Sequence, residues 1–204
     1  TVTQVQQYDA AVNTFRTKYG GLPGDLLNAD TLVGGAAAAG NGDGALTSVT
    51  GGMDANQRPL AFDDELQDFW LQLSIAALIP GSYTTADPAV LGTDIPETKL
   101  GKGGLIAFTD GGIAKYGLFM QPIAAGATMA AGNGLDGTDE NPIMTPAEAF
   151  GIDNKLDDGH PVNGQTVAVD DVQGTASAAA CQDGAIYELA ATTNVCGLQI
   201  RMAV

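Results

Sequence analysis

Along the first 20 residues, Val5, Tyr8, Val12, Phe15 and Tyr19 recur at alternating spacings of three and four. That period lays one apolar stripe along a helix whose other faces are polar. Gly20 and Gly21 give the helix its stop, because glycine takes the left-handed closing conformation without penalty, and Pro23 bars its continuation. Thr1 opens directly into the pattern with no start signal, so the expectation is a helix that continues upstream of this sequence. Residues 22–60 show little periodicity and are rich in Gly, Ala, Asn and Asp, which predicts a long loop laid over the sheet. A second helix is predicted over 63–79: Asp63 and Asp64 suit its positive end, Leu66, Phe69, Trp70, Leu73 and Ala77 form its apolar face, and Pro80-Gly81 ends it.

The period then changes to two. Residues 105–121 hold two runs of strand formers around Asp110-Gly111-Gly112, a β-hairpin signal. Ala114, Tyr116, Leu118 and Met120 make its more continuous apolar face, which should meet the first helix. After a Gly- and Asp-rich stretch, Thr145-Pro146-Ala147-Glu148 forms a capping box with proline at the first helical position. A short helix over 145–157 follows, with Ala149, Ile152 and Leu156 inward and Asp157-Asp158-Gly159 as its stop. Strands are expected at 166–173 and 198–203, within a C-terminal region 166–204. The order predicts one α+β domain over residues 1–204: a long N-terminal helix on a small antiparallel sheet, with extra helices and long loops.

Composition narrows the function. Eight Lys and Arg stand against 24 Asp and Glu, a net charge of −16, so no basic footprint exists for nucleic acid or an anionic membrane surface. No run of 18 apolar residues occurs. Cys181 and Cys196 have neither CxxC spacing nor a nearby histidine, which argues against a zinc or redox site. They are either unpaired core thiols or one disulfide. A disulfide would close a loop of about 15 residues, stabilise by roughly 3 kcal/mol, and belong to an oxidising compartment.

Catalysis finds little foothold. His160 is the sole histidine and sits in a turn between Gly159 and Pro161, no GxSxG elbow exists, and the glycine-rich stretches at 40–44 and 101–104 do not join a strand to a helix as a phosphate cradle requires. A non-enzymatic role is expected. Calcium is the cofactor with a case, because Asp and Asn beside Gly place oxygens in tight turns, though the same residues serve as ordinary turn formers. Asn41 and Asp43 match the latter half of a calcium loop, but Ala39 stands at its first position and Thr50 at its twelfth. Asn133, Asp136, Thr138, Asp139 and Glu140 form a second oxygen-rich stretch, and Asp153, Asp157 and Asp158 a third.

Four ordered blocks resemble one branch of the type IV pilin-like proteins, the pilins and pseudopilins. They are the opening helix running into GGLPGD at 20–25, DDELQDFWLQLSIAALIPGSYT at 63–84, IPETKLGKGG at 95–104, and TPAEAFGIDNKLDDGHPVNGQ at 145–165. The resemblance implies a structural subunit of a type IV pilus or type II secretion pseudopilus, with copies of itself and other pilin-like subunits as partners. It implies an upstream hydrophobic helix, missing here, that anchors the subunit in the inner membrane before assembly into a periplasmic or extracellular filament. Many pilins close a C-terminal loop with a disulfide, which carries the pairing of Cys181 with Cys196, and some pseudopilins bind calcium nearby. Val5, Tyr8, Val12, Phe15 and Tyr19 become the face of the assembly helix. A calcium-dependent adhesin or carbohydrate-binding module at a filament tip is the alternative.

Overall fold

A computed structural model describes residues 1–35, 37–47, 64–86, 89–110, 113–118, 128–129, 143–170 and 181–203. Helix α1 spans Val2–Tyr19. Its stripe is buried as the spacing predicts: Val5, Tyr8, Val12 and Phe15 are each at most 6% exposed. Tyr19 is half-buried, with its ring 4.6 Å from that of Phe15 and the Lys18 ammonium 4.7 Å from its centroid. Gly20 closes the helix at φ 86°, its N–H donating to the Arg16 carbonyl at 2.8 Å.

The following segment departs from the expected plain loop. It contains a four-residue helix α2, Ala29–Leu32, and it buries Leu22, Leu26, Ala29, Ala37 and Leu46. Residues 48–60 of that expected loop lie outside the described residues. Helix α3 covers Glu65–Ile75, with Leu66, Phe69, Trp70 and Leu73 fully buried. It stops four residues before the expected end at 79. The Leu78 N–H bonds the Leu73 carbonyl and the Ala77 N–H bonds the Ser74 carbonyl, both at 3.0 Å, while Ala77 turns left-handed at φ 56°. This is a Schellman closure with alanine where glycine is preferred. The chain unwinds ahead of Pro80, which disfavours helical geometry in the residue before it. Ala77, expected on the inward face, is exposed. Replacing it relieves a left-handed penalty of roughly 1–2 kcal/mol, offset by the greater freedom of glycine in the unfolded chain. Ala77→Gly is therefore expected to raise stability by about 0.5–1 kcal/mol, read as a higher urea midpoint.

Strand β1 (Ala89–Val90) leads to the predicted hairpin, β2 (Ile106–Asp110) and β3 (Ile113–Leu118). Their register ends at the pair Asp110–Ile113, so Asp110 belongs to the ladder, while Gly111 and Gly112 of the expected turn and residues 119–121 lie outside the described residues. Strand β4 (Thr128–Met129) pairs with β1. Helix α4 (Pro146–Leu156) starts on the predicted capping box: Thr145 Oγ1 accepts from the Glu148 N–H at 3.3 Å, and Glu148 Oε2 accepts from the Thr145 N–H at 2.9 Å. Ala149 and Ile152 are buried and Leu156 half-buried. Strand β5 (Thr166–Asp170), a small hairpin of β6 (Gln182–Asp183) and β7 (Ile186–Tyr187), and β8 (Cys196–Arg201) follow. The main sheet is antiparallel with order β2-β3-β8-β5.

The architecture is thus α+β, an N-terminal helix with a small antiparallel sheet. The few aromatic residues gather where α1, α3 and the sheet meet. Trp70 lies 4.9 Å from Tyr8, 4.8 Å from Phe69 and 6.4 Å from Tyr116 between ring centroids, and Tyr8 reaches Tyr116 of β3 at 6.5 Å. Tyr116 thereby meets the first helix as its place on the hairpin predicts. Among the described residues, no helix is long and apolar enough to cross a membrane.

Candidate functional site

The stripe of α1 faces its own domain. A buried amide on the same face adds to it: Gln4 Nε2 donates to the Glu97 carbonyl at 2.8 Å, and Gln4 Oε1 accepts from the Lys99 N–H at 3.0 Å. Gln4 precedes Tyr8 by one turn, so its position on the apolar stripe is the sequence signal that marks it. The surface that α1 leaves outward carries the uncharged Thr3, Gln6, Gln7, Ala10, Thr14 and Thr17, with Arg16 and Lys18 also exposed near its C-terminal end.

Asn41 and Asp43 lie together in a loop folded over Asp25. The Asp25 carboxylate accepts from the N–H groups of Asp43 and Gly44, each at 3.0 Å, and is 4% exposed. Asn41 Oδ1 accepts from the Asp43 N–H at 2.8 Å, and Asp43 Oδ1 from the Ala45 N–H at 2.9 Å. Glu65, at the start of α3, accepts from the Asn41 N–H at 2.9 Å and from the Thr47 N–H and hydroxyl at 3.0 Å. Gln72 bridges the Gly24 N–H and the Ala38 carbonyl, both at 2.8 Å. Here the oxygens satisfy loop amides, the role that turn chemistry gives them. Burial pushes the Asp25 and Glu65 carboxyls up, against the pull of these amides. Gly24 is required beneath them, since a Cβ there would stand 2.3 Å from the Glu65 carbonyl oxygen. Sequence reasoning singled out none of Asp25, Glu65 or Gln72 as the loop's anchors. The available signal was a polar Gln72 one turn from Phe69 on a buried face.

Asp153, Asp157 and Asp158 converge at the C-terminal end of α4, with one oxygen of each within 4.8 Å of those of the others. Asp153 is fully buried, Asp157 half-buried and Asp158 exposed. The Tyr187 hydroxyl donates to Asp153 Oδ2 at 2.8 Å, and the Phe150 and Tyr187 rings lie 5.9 Å apart. Burial pushes the Asp153 carboxyl up, with the Asp158 and Asp157 charges adding to that and the Tyr187 hydroxyl opposing it. Tyr187 belongs to the loop closed by Cys181 and Cys196, which form the disulfide left open by their spacing alone. His160 is an exposed turn residue whose N–H donates to Asp158 Oδ1 at 2.9 Å. Asn133, Asp136, Thr138, Asp139 and Glu140 lie outside the described residues.

One acid outside both loops adds a pH dependence of its own. Asp68, in the first turn of α3, is pushed up to about 6, chiefly by burial and further by the Asp64 and Glu65 charges. The folded chain therefore holds this proton to higher pH than the unfolded chain does. Its contribution to stability is fully present below pH 3.8 and is lost as pH rises through about 6. Asp68→Asn is expected to flatten stability between pH 4 and 7 and to raise it at pH 7 by up to about 3 kcal/mol, measured by urea unfolding at the two pH values.

No family model, no curated protein and no solved structure matches this chain.

Proposed function

We propose that this domain is the globular head of a pilin-like subunit, a structural component of a type IV pilus or type II secretion pseudopilus. The observation that carries the reading is the arrangement of α1: an N-terminal helix whose apolar stripe is buried beside α3 and α4 and reaches Tyr116 of the antiparallel sheet through Tyr8. The four ordered blocks of resemblance support it, as does the disulfide that closes a C-terminal loop.

In this reading a hydrophobic helix upstream holds the subunit in the inner membrane and later joins the filament core. Heads then pack by heterologous contacts, which generate an open helical array instead of a closed ring. With a net charge of −16, neighbouring heads repel at low ionic strength, so salt and divalent cations favour assembly.

Antibodies against the domain, applied to source cells after mild crosslinking, test the proposal. The expected result is a ladder of multimers in the envelope or sheared-surface fraction, with immunogold labels spaced along filaments. A chain recovered as a crosslink-free monomer from every fraction overturns it.

A further inference from the structure

We propose that Asn163 is a self-modifying site, at which the backbone nitrogen of Gly164 closes on the Asn163 side chain to form a succinimide that opens to isoaspartate. This goes beyond the filament reading and does not depend on it.

Asn-Gly occurs at 41–42, 133–134 and 163–164. The dipeptide is reactive because glycine has no side chain to shield its nitrogen, and its conformational freedom lets that nitrogen approach the preceding carboxamide. As a dipeptide motif, the three sites are therefore equivalent. Asn133-Gly134 lies outside the described residues, and the fold separates the other two.

Asn41-Gly42 is exposed but tied down. The Gly42 N–H donates to the Asp25 carbonyl at 2.9 Å, which engages the nucleophile. Asn41 Oδ1 accepts from the Asp43 N–H at 2.8 Å, and the Asn41 N–H donates to Glu65 at 2.9 Å, which fixes both the carboxamide and the backbone that carries it. Ring closure there has to break these bonds.

Asn163-Gly164 is also exposed and carries none of those restraints. Among the described residues, the Asn163 carboxamide has no partner and the Gly164 N–H has no acceptor. The pair makes one long bond, from the Asn163 N–H to the His160 carbonyl at 3.4 Å. Its anchors stand on either side. The His160 N–H donates to Asp158 Oδ1 at 2.9 Å, and the Gln165 and Thr166 N–H groups donate to Asp157 Oδ2, the latter at 3.2 Å. The reactive pair is thus the unbonded centre of a turn held at both ends, and local opening there breaks few contacts.

The chemistry needs only water. The Gly164 nitrogen gives up its proton and bonds to Asn163 Cγ, while the Cγ–Nδ2 bond breaks and ammonia leaves with that proton. Water then adds across one carbon–nitrogen bond of the imide. Opening at Cγ leaves an aspartate; opening at the main-chain carbonyl leaves an isoaspartate, with an extra main-chain carbon. Either product places a new carboxylate near Asp157 and Asp158. The isoaspartate also lengthens the chain directly before Gln165 and Thr166, whose bonds to Asp157 lead into β5. Gly164 has little room to absorb the change, since at φ 94° a Cβ would stand 1.8 Å from Asp157 Oδ2.

Isoaspartate-specific methylation followed by peptide mapping provides the test, on the whole chain held folded at mildly alkaline pH. We expect label to accumulate at position 163 about tenfold faster than at position 41, the rate equivalent of roughly 1.4 kcal/mol, which is within the range of one restraining hydrogen bond. In urea, where no fold distinguishes the two dipeptides, the rates should converge. The aged parent protein should melt below the fresh one, whereas Asn163→Gln should keep its melting temperature on ageing. Equal labelling of positions 41 and 163 in the folded protein, a contrast that survives in urea, or an equal loss of melting temperature in aged Asn163→Gln overturns the assignment.

Discussion

Phe15→Ala should lower the stability of the domain by about 3–5 kcal/mol, the cost of removing a fully buried ring and leaving a cavity behind. The ring is 0% exposed and sits on the last full turn of the stripe, against Tyr19. Domains of this kind hold only about 5–15 kcal/mol in total, so the loss is a large share of what keeps α1 docked. The exposed Gln6 provides the contrast: Gln6→Ala should stay within about 0.5 kcal/mol of the parent. Urea midpoints for the three proteins decide the matter. A change under 1 kcal/mol for Phe15→Ala would mean that α1 rests loosely on the domain, contrary to the burial described.

Removal of the disulfide should cost a comparable amount. Replacing both Cys181 and Cys196 by alanine is expected to lower stability by about 3 kcal/mol, the chain-entropy value for a loop of this size. The sequence separation is 15 and both residues are fully buried. The bridge also ties the loop to a central strand, because Cys196 opens β8 and pairs with Met144, whose carbonyl accepts from the Cys196 N–H at 2.9 Å. Amide exchange should therefore quicken across residues 182–195 more than in the β2–β3 pair. An unfolding free energy within 1 kcal/mol of the parent would contradict this account.

The parts of the fold legible in the sequence were those with local causes. The stripe of α1, the capping box of α4 and the β2–β3 hairpin each have a signal confined to one short stretch of sequence, and each stands where that signal lies. The end of α3 was misread because its closure uses Ala77, which carries no stop signal, while Pro80-Gly81, beginning three residues later, does. The order of segment 22–47 was hidden for another reason. Its anchors Asp25, Glu65 and Gln72 act across sequence separations of 18 to 48, with polar atoms that no hydrophobic period records. The acidic site was half legible. Asp153, Asp157 and Asp158 were visible as a cluster of oxygens, but their partner Tyr187 arrives from 34 residues away.

The position of β8 has a consequence for biogenesis. As the last of the described strands in the chain, it lies between β3 and β5 and pairs with both. Until it has been synthesised, β3 and β5 have no bridge between them and each offers a bare edge of the kind that invites aggregation. The nascent polypeptide therefore cannot complete this sheet until its final described strand has emerged.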